Sequence, residues 1–300
     1  MRVFVTGASG HIGSALIPEL LAAGHQVVGL ARSDAAAAAV AERGAEAHRG
    51  DATDPDSFLD AVAAADGVVH LAYDHSFTDM AAAAAADLRT VRAIGERLAG
   101  TGKPLVATSG TLLLAFGSDG ALGFEHDTRP GGSRIDVENA VVAMAAEGVR
   151  GSVVRLAPLV HSDLDHHGFA PIMIRIAREK GVAAYVGDGT NRWPAVNTRD
   201  AARLYRLALE SAPGGTRLHA VEGEGVPLRT IAETIAQRLG IPAVSIEPEQ
   251  ADEHFGFLGP LVQLDNPTSA EATRKLLDWK PEHPDLIADL EAGHYFRTQD

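Results

Sequence analysis

Hydrophobic and polar positions follow two rhythms along the chain, and the rhythms take turns. Residues 2–5 (Arg-Val-Phe-Val) are an apolar, β-branched run that reads as a buried strand. From Ile12 the spacing becomes Ile12, Leu16, Ile17, Leu20 and Leu21, the stripe of an amphipathic helix, and Gly24 is placed to end it. The exchange recurs. Strands are expected over 26–30, 45–49, 67–71, 104–108 and 151–156, and helices over 34–43, 56–65, 79–100 and through 133–140. Short apolar strands separated by helices make a parallel sheet, so the fold class expected is α/β, a doubly wound sheet of the Rossmann type. Past residue 160 the pattern loosens to a helix over 171–181, a strand over 216–221, a helix over 228–239 and a strand over 243–246. This second part, 161–300, is expected to be a smaller α+β unit, some segments of which return to the sheet. Thr53 and Asp54 ahead of Pro55, and Thr198 further on, are the expected helix caps.

Between the first strand and the first helix lies Thr6-Gly7-Ala8-Ser9-Gly10-His11-Ile12-Gly13. A glycine-rich turn set between strand and helix is the context in which such a turn cradles a dinucleotide. Gly7 permits the tight turn, Gly10 admits a pyrophosphate to the backbone, and Gly13 lets the helix pack closely on the strand. The helix start, through Ser9, His11 and Ile12, offers free N–H groups and a positive dipole end to the phosphates. Residues 1–160 are therefore read as a dinucleotide-binding domain and 161–300 as the substrate-binding part. After the second strand comes Ala31-Arg32-Ser33, with no acid until Asp34. An acid there would hold a ribose 2′-hydroxyl, whereas Arg32, helped by Ser33, suits a 2′-phosphate. NADP(H) is expected ahead of NAD(H).

The spacing G-x-x-G-x-x-G after a threonine resembles the short-chain dehydrogenase/reductase superfamily, in its extended branch of epimerases, dehydratases and reductases. The resemblance implies several further contacts. Asp51, with Ala52, matches the strand-end position that meets the adenine. Leu71 and Ala72 match the small-residue turn beside the cofactor, and Pro158-Leu159-Val160 matches the segment along the nicotinamide. Thr108 precedes Ser109, the position whose hydroxyl bonds the reacting oxygen. Tyr185 to Val196 resembles the stretch that carries substrate contacts, placing Arg192 and Trp193 on a pocket wall. Leu277-Asp278-Trp279-Lys280-Pro281 resembles the family's terminal L-G-W-x-P. One departure is sharp. The family carries Y-x-x-x-K on the helix through 133–140, where the nearest register here puts Arg134 and Glu138. No tyrosine lies between Tyr73 and Tyr185, and no lysine between Lys103 and Lys180.

A carbonyl reduction in this chain thus needs another acid near the strand ends. Tyr73 and His75 follow the fourth strand directly, where open α/β sheets bind ligands, and His75 is also a candidate substrate contact. The loop Ser162-Asp163-Leu164-Asp165-His166-His167 follows the nicotinamide-binding segment. Histidine titrates near neutrality, so His166 or His167 is expected as proton donor ahead of His161, with Tyr73 as runner-up. Adjacent histidines rarely ligate one ion, so no metal is expected.

Charge and composition narrow the rest. The 300 residues carry 40 acids against 26 bases, a net charge of −14, which opposes a nucleic-acid footprint or affinity for an anionic membrane. There is no cysteine, which removes disulfides and thiolate chemistry. Apolar runs are too short for a spanning helix. The first strand begins at residue 2, so no signal or transit peptide is expected, and the setting expected is cytoplasmic. The function expected is an NADP(H)-dependent oxidoreductase acting on a small-molecule carbonyl or hydroxyl substrate, with a homodimer as the assembly expected. The alternatives are a nucleotide-binding regulator or redox sensor without turnover, and a sugar-nucleotide epimerase or dehydratase.

Overall fold

The computed structural model describes residues 1–74, 79–132 and 134–297, so His75 lies outside the described residues. The strands of the first half are β1 (Arg2–Thr6), β2 (Gln26–Ala31), β3 (Glu46–Arg49), β4 (Gly67–His70), β5 (Pro104–Gly110) and β6 (Arg150–Leu156). Those after it are β7 (Leu159–His161), β8 (Ala183–Val186), β9 (Arg192–Trp193), β10 (Ala195–Asn197), β11 (Thr216–Ala220), β12 (Val226–Pro227) and β13 (Ala243–Ile246). Helices α1 (His11–Ala22), α2 (Asp34–Glu42), α3 (Leu59–Ala64), α4 (Met80–Leu98), α5 (Leu112–Ala115) and α6 (Arg134–Ala143) belong to the first half. The remainder are α7 (Phe169–Lys180), α8 (Thr198–Ser211), α9 (Leu228–Leu239), α10 (Ala251–Phe255), α11 (Glu271–Leu277) and α12 (Leu286–Ala292).

Seven strands form one parallel sheet in the order β11-β6-β5-β4-β1-β2-β3. The chain runs outward from β1 to β3, then returns to the other side of β1 as β4 and continues to β6. That reversal opens a crevice outside the carboxyl ends of β1 and β4, the place where doubly wound sheets take ligands. Both faces of the sheet are covered, which is why its strands are apolar without alternation. Val3, Val5, Val69, Val106 and Val154 pack with Leu16, Ile17 and Leu20 of α1 and Leu204, Tyr205 and Leu209 of α8. Phe4, Val68, Leu105 and Val153 pack on the other face with Val91, Ile94 and Leu98 of α4 and Val137 and Val141 of α6. A separate core joins α7, α9 and α12 around Trp193, Ile231, Phe255 and Leu286.

The second half therefore contributes α8 and β11 to the sheet, and the boundary at residue 160 is crossed by both. Three local expectations are corrected. Asp54 precedes a 3-10 turn, Pro55–Ser57, without capping it through its side chain; Ser57 instead turns its hydroxyl onto the Asp54 carbonyl at 2.6 Å. Thr53 is likewise no cap, because its amide and hydroxyl both bond the Asp51 carboxylate at 2.8 Å. The cap of α8 is Asn197, whose side chain accepts from the Arg199 amide at 3.0 Å, which leaves the Thr198 hydroxyl free for His11. Among the described residues no helix is long and apolar enough to cross a membrane.

Candidate active site

The three glycines of the first turn have different reasons to be there. Gly7 holds φ at +66°, and a Cβ on it would lie 2.8 Å from the Ala72 amide nitrogen. A Cβ on Gly13 would come within 2.4 Å of the Gly7 carbonyl oxygen and 2.6 Å of that of Ala8. Both are fixed by close packing. On Gly10 a Cβ would meet a single atom within 4 Å, the Gly7 oxygen at 3.2 Å, so this glycine opens outward. Ser9 beside it is exposed, Ile12 is half-buried, and α1 starts at Gly10 without a side-chain cap. An open turn leading into uncapped helical N–H groups fits a bound pyrophosphate.

At the adenosine end, Arg32 is exposed just past β2. Ser33 caps α2, accepting from the Ala36 amide at 3.2 Å. Asp51 is held below the usual carboxylate range, chiefly by the Thr53 amide, with help from the Thr53 hydroxyl and the nearby charge of Arg32. The Ala52 carbonyl is taken by the Thr90 hydroxyl at 2.6 Å. Arg32, Ser33 and Asp51 thus gather around one rim of the crevice.

The opposite rim is built on Thr6. Its oxygen accepts the amides of Leu71 and Ala72 at 3.2 Å each, pinning the end of β4 to the end of β1. With both lone pairs engaged, the Thr6 hydroxyl donates to His70 Nδ1 at 2.8 Å. That leaves His70 Nε2–H to donate to Asp87 Oδ1, also at 2.8 Å. The other Asp87 oxygen lies 3.8 Å from Arg134 Nε, and neither atom has a hydrogen bond among the described residues. Arg134 donates from Nη2 to the Thr108 carbonyl at 3.0 Å, and its guanidinium covers the Tyr73 ring at 4.1 Å from the centroid. The Thr108 hydroxyl donates to the His70 carbonyl and accepts from Tyr205. Ser109, next on β5, is buried with its hydroxyl unpartnered among the described residues. Pro158 and Val160 are half-buried, whereas Leu159 turns into the separate core.

His166 and His167 are exposed, and their charges bear on His11 of the glycine turn. Burial, reinforced by His166, His161 and His167, pushes His11 down to about 4. It is therefore neutral at pH 7, bonded to the Thr198 hydroxyl at 2.7 Å, and its 3.8 Å approach to Asp165 is no ion pair. Burial pushes Asp165 itself up to about 6, against hydrogen bonds from the Gly168 amide and the Tyr295 hydroxyl. His161 is fully buried between Asp289 at 3.0 Å and Glu222 at 3.3 Å. Burial alone would lower it, but the two carboxylates outweigh burial and hold it charged, up to about 9.

Of the expected pocket wall, Trp193 is corrected to core: it is fully buried, its ring 5.7 Å from that of Phe169. Arg192 is fastened to Asp265, its Nη2 at 2.8 Å from Oδ2. A cleft of about 220 Å³ opens instead beyond β5, lined by Leu114, Ser118, Asp127, Arg129 and Asn266 among others. Helix α6 contains neither tyrosine nor lysine. Its Glu138 is buried and clasped by Arg155 and Arg217, which outweigh burial and keep it below the usual carboxylate range. Sequence reasoning missed Asp87, Arg155 and Arg217, whose partners are remote in the chain.

Residues 3–220 match the model of the NAD dependent epimerase/dehydratase family. The chain is 46% identical over 298 residues to "Uncharacterized protein C2A9.02" of Schizosaccharomyces pombe, covering 99% of this chain and 100% of that one. It is 28% identical over 272 residues to the 2'-dehydrokanamycin reductase of Streptomyces kanamyceticus, covering 85% of this chain and 72% of that one. Among solved structures it resembles the dTDP-glucose 4,6-dehydratase DesIV from Streptomyces venezuelae, with NAD and TYD bound. The TM-score is 0.76 at 19% identity, covering 99% of this chain and 98% of that chain. With its open glycine turn at the switch point of a parallel sheet and a family model matched across most of its length, the chain belongs to the NAD dependent epimerase/dehydratase family.

Proposed function

We propose that the protein is an NADP(H)-dependent oxidoreductase that moves a hydride between the nicotinamide and a small carbonyl or hydroxyl substrate. The observation that carries the cofactor choice is Arg32, exposed at the carboxyl end of β2. The nearest following acid, Asp34, pairs with Arg49 at 3.3 Å instead of standing where a ribose hydroxyl would be held. Arg32 would take the 2′-phosphate, with the Ser33 hydroxyl beside it. Ser9, Gly10, His11, Ile12 and Gly13 would receive the pyrophosphate on backbone N–H groups. Bound NADPH supplies the hydride. Ser109 is the β5 hydroxyl without a protein partner among the described residues, and the cleft beyond β5 is the opening offered to a substrate. Three reductases and one UDP-glucose 4-epimerase stand among the sequence relatives, and a helix α6 without tyrosine or lysine weighs against sugar-nucleotide epimerisation.

The test is a pair of fluorescence titrations with NADPH and NADH, followed by NADPH consumption against a panel of aldehydes and ketones. Tighter NADPH binding is expected. In Arg32→Asp that preference should fall tenfold or more, since a charge-assisted contact contributes about 1.5–3 kcal/mol. Preference of the unmodified protein for NADH defeats the cofactor assignment. Binding without consumption of NADPH by any carbonyl favours the nucleotide-binding regulator, a reading that Glu138 supports, because its carboxylate is taken by two arginines.

A further inference from the structure

The polar and charged groups behind the crevice form one continuous line. It runs from Thr6 on β1 through His70 on β4 and Asp87 on α4 to Arg134 at the start of α6, and ends on the ring of Tyr73. Asp87 is almost fully buried, as is His70. A carboxylate in such a place must be compensated, and the compensation is divided: one oxygen takes His70 Nε2–H while the other faces Arg134. Arg134 is thereby held on three sides, by Asp87, by the Thr108 carbonyl and by the Tyr73 ring. A guanidinium so positioned cannot follow a ligand or drift to solvent. It stays at the carboxyl ends of β4 and β5.

Tyr73 is placed by the same construction. The Thr6 oxygen fixes Leu71 and Ala72, and Ala72 packs so closely on Gly7 that no Cβ fits between them. Tyr73 follows immediately, at the lip of the crevice between β1 and β4. Among the described residues it is the one tyrosine that directly follows a strand end at that lip. Tyr205 is fully buried and bonded to Thr108, Tyr295 bonds Asp165, and Tyr185 lies in β8 beside Arg229.

We propose that Tyr73 is the proton donor of the reaction and that Arg134 is the positioning cation that holds its ring and offsets the phenolate left behind. The proposal rests on the oxidoreductase reading above. In carbonyl reduction the carbonyl carbon receives the hydride, and the π electrons of the C=O bond move onto its oxygen. Tyr73 gives its hydroxyl proton to that oxygen, forming the O–H bond of the alcohol product. The tyrosine is left as a phenolate beside the Arg134 guanidinium and recovers a proton from water. Arginine stays protonated through the cycle, so its role is electrostatic. Asp87 keeps it in place, with His70 and Thr6 keeping Asp87 in place. Among the described residues the charge set over the Tyr73 ring is Arg134 from α6, with Asp87 of α4 and His70 of β4 behind it, and Asp74 is its chain neighbour.

The test has two independent readouts. The first uses no cofactor. Ultraviolet tyrosinate absorbance is titrated against pH in the wild type and in Tyr73→Phe, and the difference isolates residue 73. The same pair is then measured with Arg134→Met and with Arg134→Lys. Arg134→Met should raise the midpoint by about one pH unit or more, and Arg134→Lys should restore most of the shift. An unmoved midpoint overturns the pairing. If Arg134→Met folds poorly, Arg134→Gln takes its place as the charge-removing variant, and an unmoved midpoint in it overturns the pairing. The second readout is turnover with NADPH and a carbonyl that the wild type reduces. Tyr73→Phe should lose at least about 100-fold in kcat, while the NADPH Kd stays within about twofold. Retained turnover overturns the donor role while leaving the functional reading standing. A wild type that binds NADPH and reduces no carbonyl overturns the functional reading and the donor role together, and the titration still decides whether Arg134 acts on Tyr73.

Discussion

Arg155 of β6 closes on Glu138 of α6 with its Nε 2.9 Å from Oε2 and its Nη2 on the other oxygen, inside the layer between sheet and helix. Both side chains are buried. Arg155 also reaches the Asp127 carbonyl at 2.7 Å and His219 on β11 at 3.0 Å, while Arg217 adds a second cation to Glu138. Position 138 is the one that the nearest register of Y-x-x-x-K would give to a lysine. Here it ties α6 to β6 and β11, and the cation at the mouth of the crevice is Arg134.

Glu138→Ala should therefore destabilise the protein by about 3–5 kcal/mol, because it leaves Arg155 buried without its carboxylate. Glu138→Lys should be worse, placing a third cation against Arg155 and Arg217, and it should not improve turnover. Urea unfolding read by circular dichroism checks the first value. If Glu138→Ala unfolds as the wild type does but loses NADPH affinity, then Glu138 serves the cofactor directly and the structural role is wrong.

Gly10 and Gly13 should respond differently to an added side chain. Gly13→Ala drives a Cβ into two carbonyl oxygens, at 2.4 and 2.6 Å, and should cost about 1–3 kcal/mol of stability. Gly10→Val should leave the melting temperature nearly unchanged, since its side chain meets little besides the Gly7 oxygen. It should nonetheless abolish dinucleotide binding by filling the space that the pyrophosphate needs. A melting scan paired with NADPH titration distinguishes the two, and full affinity in Gly10→Val would remove that glycine from the site.

The sheet and its glycine turn are legible in the sequence because their signals are local. A buried strand, a glycine at each tight contact and a helical stripe all fall within a dozen residues around Gly7 to Gly13. Arg32 is legible for the same reason, standing at the end of its strand. The line from Thr6 to Arg134 is not, because each link joins residues far apart in sequence: Thr6 with His70, His70 with Asp87, Asp87 with Arg134. Trp193 misleads because its neighbourhood resembles a substrate-binding stretch, whereas its side chain is drawn inward by Phe169 and the helices around it. The histidine-rich loop is legible in composition but not in placement: His166 and His167 lie exposed near His11 of the glycine turn, while His161 is buried.

His161 should make stability fall on the alkaline side. Its imidazole titrates at about 9 in the folded chain against 6.5 for an ordinary histidine, so the folded state binds the extra proton. The stabilisation is fully present below pH 6.5 and is lost as the pH rises through 9. It amounts to about 3 kcal/mol by the usual conversion of a pKa difference to free energy. Two neighbours act in other windows. Asp165, raised to about 6, disfavours the folded carboxylate and has exerted its full effect once the pH passes 6. His11, lowered to about 4, resists protonation in the folded chain and weakens it as the pH falls from 6.5 through 4. Between about pH 7 and 9 the slope is thus left to His161, and above that the buried Tyr205 and Tyr295, both raised above the ordinary 10, add a decline of the same sign. Urea unfolding of the wild type should show a declining free energy across that interval, and His161→Gln should be less stable at pH 7 but nearly flat. The clamp bears on the segment proposed to lie along the cofactor, because His161 ends the strand that begins one residue after Pro158 and ties it to Asp289 on α12. NADPH affinity should weaken over the same interval in the wild type and not in His161→Gln. Equal slopes in the two proteins would show that the charged imidazole between Asp289 and Glu222 is not what holds that segment.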